Sequence, residues 1–161
     1  LLDDQNSDLI LFQNNLNFVV LDHDVHPFCS LSHDKKKTAY TRFVDGRGTG
    51  KIYIYDFVQN KKFHINEDIY AEGPVFLPDD SGLIYVSGKT SIASFYHYQL
   101  YTSQSHQLTN IGMVSGSGLT LGFQPVPSDY QSYRWIDGRL EYRSDEKTLR
   151  LNPYTGETQW P

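Results

Sequence analysis

The sequence predicts an all-β chain assembled from repeated four-stranded units, and three observations carry that expectation. Aromatic residues are abundant, with 12 Tyr, 9 Phe and 2 Trp among 161 residues. Tyr, Phe, Val, Ile and Thr are the side chains that fit a pleated, half-buried surface. No stretch keeps a helical apolar period for ten residues, whereas short alternating runs recur along the whole chain. Finally, one pattern of strands and polar turns occurs twice in the middle of the sequence, and self-similarity of that kind marks a repeat architecture.

Taken in order, Leu9-Ile10-Leu11-Phe12, the polar turn Gln13-Asn14-Asn15 and Phe18-Val19-Val20-Leu21-Asp22 read as two strands of an incomplete unit. The first full unit opens at Pro27 with Phe28-Cys29-Ser30-Leu31. It passes the turn Ser32-His33-Asp34-Lys35-Lys36 and rises into a strand carrying Tyr40. Tyr53-Ile54-Tyr55-Asp56, the turn Gln59-Asn60-Lys61-Lys62 and Phe63-His64-Ile65 complete it. The second unit opens at Pro74-Val75-Phe76-Leu77-Pro78-Asp79-Asp80-Ser81-Gly82 and rises into a strand carrying Tyr85. It continues through Tyr96-His97-Tyr98-Gln99 and ends at Gln107-Leu108-Thr109. The two prolines lie 47 positions apart, Tyr40 and Tyr85 45, and both Tyr53 to Tyr96 and Ile65 to Leu108 span 43. A longer hairpin in the first unit, Asp45-Gly46-Arg47-Gly48-Thr49-Gly50, accounts for the shrinking offset, because loops absorb length changes cheaply. A divergent last unit contains Tyr133-Arg134-Trp135-Ile136, the turn Asp137-Gly138, Leu140-Glu141-Tyr142 and Leu149-Arg150-Leu151. Residues 152–159 stand in the place of residues 56–62. Asp-Gly before an apolar strand is a strong hairpin signal.

A repeat of about 40–45 residues in four short strands is the blade of a β-propeller. The two central units also resemble the TolB-type propeller repeat, on Pro74-Val75-Phe76-Leu77-Pro78-Asp79-Asp80-Ser81-Gly82 with Gln107-Leu108-Thr109, and on Ser32-His33-Asp34-Lys35-Lys36 with Ile52-Tyr53-Ile54-Tyr55-Asp56. The resemblance is clear from Pro27 to Thr109. The expected architecture is a single domain, a propeller-like array of about four short antiparallel four-stranded blades. Its divisions are a partial blade 1–26, a blade 27–67, a blade 68–110 and a divergent blade 111–161. Three arrangements remain open. The array is a small ring sealed by pairing the incomplete first unit with Thr158-Gln159-Trp160, an open arc completed by another chain, or an incomplete piece of a larger propeller. An open arc leaves strand edges of the kind that proteins normally cover.

Lys and Arg total 14 against 19 Asp and Glu, a net charge of −5. A weakly acidic chain lacks the electrostatic footprint for a polyanion, so nucleic acid is not an expected partner. The longest apolar runs are four residues, too short to cross a bilayer as a helix. The single cysteine, Cys29, excludes an internal disulfide framework and any multi-cysteine zinc site. The chain opens on Leu1-Leu2 and its one methionine is Met113. That form is expected of a processed or excised piece of a longer product, either an exported protein whose leader has been removed or a subcloned domain. Together with the habit of the family it resembles, this makes periplasmic or secreted the expected location.

The densest group of potential metal ligands is His23, Asp24 and His26, with Cys29, His33 and Asp34 nearby. Strand residues three apart point to opposite faces, so His23 and His26 converge only if the chain turns between them; otherwise this is a polar blade-to-blade linker. Gly46-Arg47-Gly48-Thr49-Gly50-Lys51 is a hairpin loop and not a phosphate loop. It lacks the first Gly, has Ile52 where Ser or Thr is needed, and runs into a strand. Gly116-Ser117-Gly118 lacks the spacing of a nucleophile elbow. Cys29 reads as packing, and Asp3-Asp4, Asp79-Asp80 and Asp145-Glu146 as solvated terminal or turn residues.

Residues 90–128 contain no Asp, Glu, Lys or Arg but include Phe95, Tyr96, Tyr98 and Tyr101. Such a span is either packed against neighbouring sheets or a partner, where charges are costly to desolvate, or it presents a surface to a neutral ligand. On the second reading Tyr96, Tyr98 and Tyr101, extended by Tyr130, Tyr133 and Trp135, are the binding residues.

The leading functional expectation is a non-catalytic protein- or ligand-binding scaffold. Its partners would be a protein or a neutral peptide or glycan, with a second copy or a larger chain completing the array, and no cofactor. The alternative is an enzyme, or the propeller domain of one, of the hydrolase or polysaccharide lyase type. Its pocket would lie at the mouth of the central channel, fed by His23, His26 and His33.

Overall fold

The computed structural model describes residues 7–12, 17–44, 50–65, 71–87, 94–109, 133–143 and 148–159, and every regular element among them is a β-strand. The first sheet contains β1 (Ser7–Phe12), β2 (Phe18–Leu31), β3 (Lys37–Phe43), β4 (Gly50–Asp56) and β5 (Lys61–His64). The second contains β6 (Ala71–Phe76), β7 (Gly82–Ser87), β8 (Ser94–Gln99) and β9 (Gln104–Gln107). The third contains β10 (Tyr133–Ile136), β11 (Arg139–Arg143), β12 (Thr148–Leu151) and β13 (Thr158–Gln159). In each sheet, strands adjacent in sequence pair antiparallel, the up-and-down order of propeller blades.

Local chemistry sets the hairpins. The β2–β3 and β6–β7 turns each hold one residue in the left-handed region, Lys35 (φ 60°) and Asp80 (φ 56°). The outer hairpins place Asn60 (φ 53°), Ser103 (φ 55°) and Gly156 (φ 73°) at the corresponding point. Asp56 and Asn152 open two of these outer turns. Asp56 accepts the Val58 and Gln59 N–H groups at 2.9 Å, and Asn152 accepts that of Tyr154 at 3.0 Å. Asp137 and Gly138 both have positive φ, 49° and 73°, as a two-residue type I′ turn between β10 and β11 requires.

Two features differ from the sequence expectation. The division at 26/27 falls inside β2, so the partial first unit is not a separate sheet: the first half of β2 pairs with β1 and the second half with β3. Pro27 is accommodated because the β2–β3 register shifts between Val25 and Cys29, and Asp24 turns through φ 58° just before it. A proline at such a bulge need not donate to the ladder. The described residues therefore form three sheets. Nor do the chain's terminal strands seal a ring: Thr158 and Gln159 pair with Leu151 and Arg150 as the outer strand of their own sheet, and the sheets are not closed.

The second sheet is sandwiched between the other two. Along β7 every residue is buried, and alternate side chains serve opposite cores. Leu83 and Tyr85 join Ala39, Ile52, Ile54, Ala71, Phe76 and Tyr98 on the side of the first sheet. Ile84 and Val86 join Val75, Leu77, Phe95, Leu140, Leu149 and Leu151 on the side of the third. A strand buried on both faces loses its apolar/polar alternation, which is why Leu83-Ile84-Tyr85-Val86 reads as an unbroken apolar run. β6 packs against β2, β3 and β4.

A candidate ligand cleft at the ends of the inner strands

The first strand of each sheet unit, β2, β6 and β10, contributes to one cleft. It is lined by Leu31, His33, Phe76, Leu77, Pro78 and Trp135 and encloses about 290 Å³. Leu31 closes β2 and is 52% exposed, whereas Phe76, at the equivalent end of β6, is buried. Trp135 is half-buried. It stands opposite Leu140 in the β10–β11 ladder and packs against the core shared by the second and third sheets, as does Phe28 from β2.

Polar contacts hold the wall in place. Asp80 receives the backbone N–H of His33 at 2.7 Å and of Asp34 at 2.8 Å, so one carboxylate clamps the turn of the neighbouring sheet. The Phe76 N–H donates to Ser30 Oγ at 3.0 Å, fastening β6 to β2 just below the cleft. Asp34 is spent on its own turn. The Lys36 N–H and the Ser32 hydroxyl both bond to it and hold its carboxyl below the usual range. Among the described residues the lining is thus mostly aliphatic and aromatic, with His33 its one ionisable side chain, an arrangement suited to binding an apolar group.

The sequence candidates fall in different places. Trp135 and His33 reach the cleft. Tyr98 is 3% exposed in the core between the first two sheets, and Tyr96 is half-buried and stacks on Tyr85 at 5.5 Å. Their strand has a sheet over that face, so the rings are used in packing. Tyr101 is fully exposed at the tip of the β8–β9 turn, at the periphery of the end that carries the cleft. Tyr133 opens β10, and Tyr130 lies outside the described residues, as do Asp45–Thr49 and residues 110–132.

His23 and His26 lie toward the other end of β2's pairing with β3 from His33. The His23 Nδ1 is 2.8 Å from Asp8 Oδ1. His26 meets the ring of Phe43 edge-on at 5.8 Å, and burial pushes its pKa down. Asp24 sits at the bulge between them. Among the described residues no three His, Cys, Asp or Glu side chains converge as a metal site. Cys29 is exposed on β2. The residues missed from sequence, Leu31, Phe76, Leu77, Pro78 and Asp80, all lie in the repeated strand–turn segment that carried the repeat signal.

No sequence family and no curated protein sequence matches the chain. Solved structures do. TolB from Acinetobacter baumannii superposes with a TM-score of 0.62 at 16% identity, over 91% of this chain and 35% of that one. A putative TolB from Agrobacterium tumefaciens gives 0.64 at 13% identity, over 99% and 57%. An oligogalacturonate lyase from Vibrio parahaemolyticus gives 0.55 at 10%, over 96% and 46%. The likeness establishes the fold, that of β-propeller blades, and this chain spans between about a third and somewhat over half of those chains. Among the described residues no helix is long and apolar enough to cross a membrane.

Proposed function

We propose that this chain is a non-catalytic binding module whose cleft captures one bulky neutral group, an aromatic or aliphatic side chain of a protein or peptide, or a single sugar ring of a glycan. The observation that carries this reading is the apolar cleft itself. Its 290 Å³ lies at the small end of ligand pockets, which suits an anchor residue better than an extended molecule. Periplasmic or secreted localisation, and completion of the array by a second copy or further blades, belong to the same reading. Cell fractionation and the solution mass by light scattering test them.

Replacing Trp160 with Phe leaves Trp135 as the reporter. Titration with neutral peptides containing Phe or Leu, and with neutral oligosaccharides, is expected to change its emission saturably, and Trp135→Ala or Leu31→Asp to abolish binding measured by calorimetry. Saturable binding that survives both substitutions defeats the reading. The second reading, a propeller domain of a hydrolase or lyase, is favoured by the likeness to the oligogalacturonate lyase. It predicts bond cleavage in an oligouronide or peptide substrate that is lost in His33→Ala.

A further inference from the structure

The hairpin made by β1 and the first half of β2 has a bare apolar face. Register sets Ile10 opposite Val20 and Phe12 opposite Phe18. Directly opposite residues share a face, as do residues two apart on one strand, so these four side chains form a single patch. All four are exposed, Phe12 at 76%, Phe18 at 59%, Ile10 at 39% and Val20 at 37%, and the two phenyl rings lie 6.4 Å apart. On the opposite face Leu9 and Leu11 are half-buried, which gives β1 its alternation, and Val19 is more open.

Composition and exposure disagree here. The strands that are exposed along their whole length are otherwise mostly polar, Lys61-Lys62-Phe63-His64 in β5 and Gln104-Ser105-His106-Gln107 in β9. Leu9-Ile10-Leu11-Phe12 reads instead like Leu83-Ile84-Tyr85-Val86 of β7, which has a core on each side. β1 thus has the composition of a strand covered on both faces and the exposure of one covered on a single face. A contiguous exposed apolar patch marks an interaction surface, whereas apolar residues scattered singly need no explanation.

We propose that this face packs against the same face of a second copy across a two-fold axis, which rests on the second-copy completion put forward above and gives it a surface. Charge favours that occupant. Residues 7–22 contain no Lys or Arg, and their two acids are engaged, Asp8 with His23 at 2.8 Å and Asp22 with Tyr40 and Lys62 at 2.9 Å each. The face therefore meets its own copy without opposing like charges, while an anionic lipid surface finds no cation on it. Shape favours it as well. A two-fold axis perpendicular to the strands lays Phe12 over the second copy's Ile10 and Phe18 over its Val20, so a large side chain faces a small one throughout. At about 150–250 Å² for an aromatic side chain, Phe12 and Phe18 alone leave roughly 200–340 Å² in water. Two copies, with their aliphatic pairs, would bury on the order of 700 Å², the scale of a weak, reversible association.

The test is sedimentation velocity on the full chain from about 1 μM to about 1 mM, where a reversible monomer–dimer equilibrium is expected. Phe12→Lys and Ile10→Glu both fall at exposed positions and are expected to keep the parent's Tm while weakening self-association about tenfold or more. Mixing the two variants is expected to recover the dimer, because the introduced lysine and glutamate then face each other across the axis. Trp135→Ala is expected to leave the dimer unchanged, which separates this face from the cleft. A chain that stays monomeric throughout, or a mixture that associates no more tightly than its components, overturns the proposal. A dimer that survives both substitutions overturns it too, and leaves second-copy completion standing on another surface. So does binding to phosphatidylcholine vesicles at concentrations where no dimer forms, which assigns the face to a lipid surface.

Discussion

Gly138 and Gly156 share a backbone conformation, φ +73°, but differ in what surrounds them, and together they test how the third sheet seats on the second. A Cβ added at Gly138 meets nothing within 4 Å. One added at Gly156 lies 2.1 Å from the Leu108 carbonyl oxygen and 3.0 Å from its carbonyl carbon. Both alanine variants bear the strain of an L-residue in the left-handed region, about 1–2 kcal/mol. Only Gly156→Ala must also push apart two backbones, which no side-chain rotation relieves, at a further cost of about 1–3 kcal/mol. The expected losses are therefore about 1–2 kcal/mol for Gly138→Ala and about 2–5 kcal/mol for Gly156→Ala. At roughly 2–4 °C per kcal/mol for a chain of this size, these separate clearly in a thermal scan. Urea unfolding followed by tryptophan fluorescence gives the free energies directly, because Trp135 packs on the core between the two sheets. Equal losses within about 0.5 kcal/mol would show that the β12–β13 turn does not rest on Leu108, and the stacking of these sheets would have to be redrawn.

Asp80→Ala removes two exposed hydrogen bonds. The expected loss is about 1 kcal/mol, with faster amide exchange at His33 and Asp34; unchanged protection there would refute the clamp. His97 is 6% exposed. Burial, and then the His106 ring 4.8 Å away, lower its pKa below 6.5, against an opposing pull from Asp79, while Tyr154 bonds to Asp79 from the third sheet. The neutral form is thus favoured in the folded state, and this contribution to stability is complete above pH 6.5 and fades as pH falls toward the lowered value. Glu72 has the opposite sign. Burial raises its pKa from 4.5 to about 7, so its contribution is complete below pH 4.5 and is lost as pH rises through 7. Thermal scans between pH 5 and 7.5 should show Glu72→Gln losing stability on acidification more steeply than the parent, and His97→Gln less steeply. Parallel curves for all three proteins would refute both assignments.

The strands and their turns were legible because the forces that set them are local. The alternation of Ile52 and Ile54 with Tyr53 and Tyr55 appears directly as buried and half-buried positions in β4. Asp137-Gly138 makes the turn its residue types require. The continuity of β2 was not legible, because Pro27 reads as a break until the bulge beside it is seen. For Tyr96 and Tyr98 the sequence leaves packing and a binding surface both open, because an aromatic on a strand does not reveal which face another sheet covers. The cleft was only partly legible. Trp135 and His33 stood out singly, but its walls come from three repeats, each of which looks like an ordinary inner strand. Asp80 illustrates the same limit: in sequence it is a turn residue, and its partners His33 and Asp34 lie 47 and 46 positions away in the neighbouring repeat.

The two outer faces of the stack obey a common rule that its interior does not. On the third sheet, Arg134, Glu141 and Arg150 form a ladder across β10, β11 and β12 on the side away from the Leu140 core. Glu141 is 1% exposed, held by Arg134 Nε at 2.6 Å and Arg150 Nε at 3.0 Å. On the first sheet, Asp22 is held in the same way by Lys62 and Tyr40. A buried acid between cations costs much of its Coulomb gain in desolvation, and the cost is least where the cations keep contact with water. Arg134, Arg150, Arg42 and Lys62 all do. Any sheet or partner that covers either face must therefore replace that water with polar groups of its own. The outer faces therefore carry charge that stays in contact with water, while the described lining of the cleft at the inner strand ends is mostly apolar, so one small stack of sheets has two chemically distinct kinds of surface.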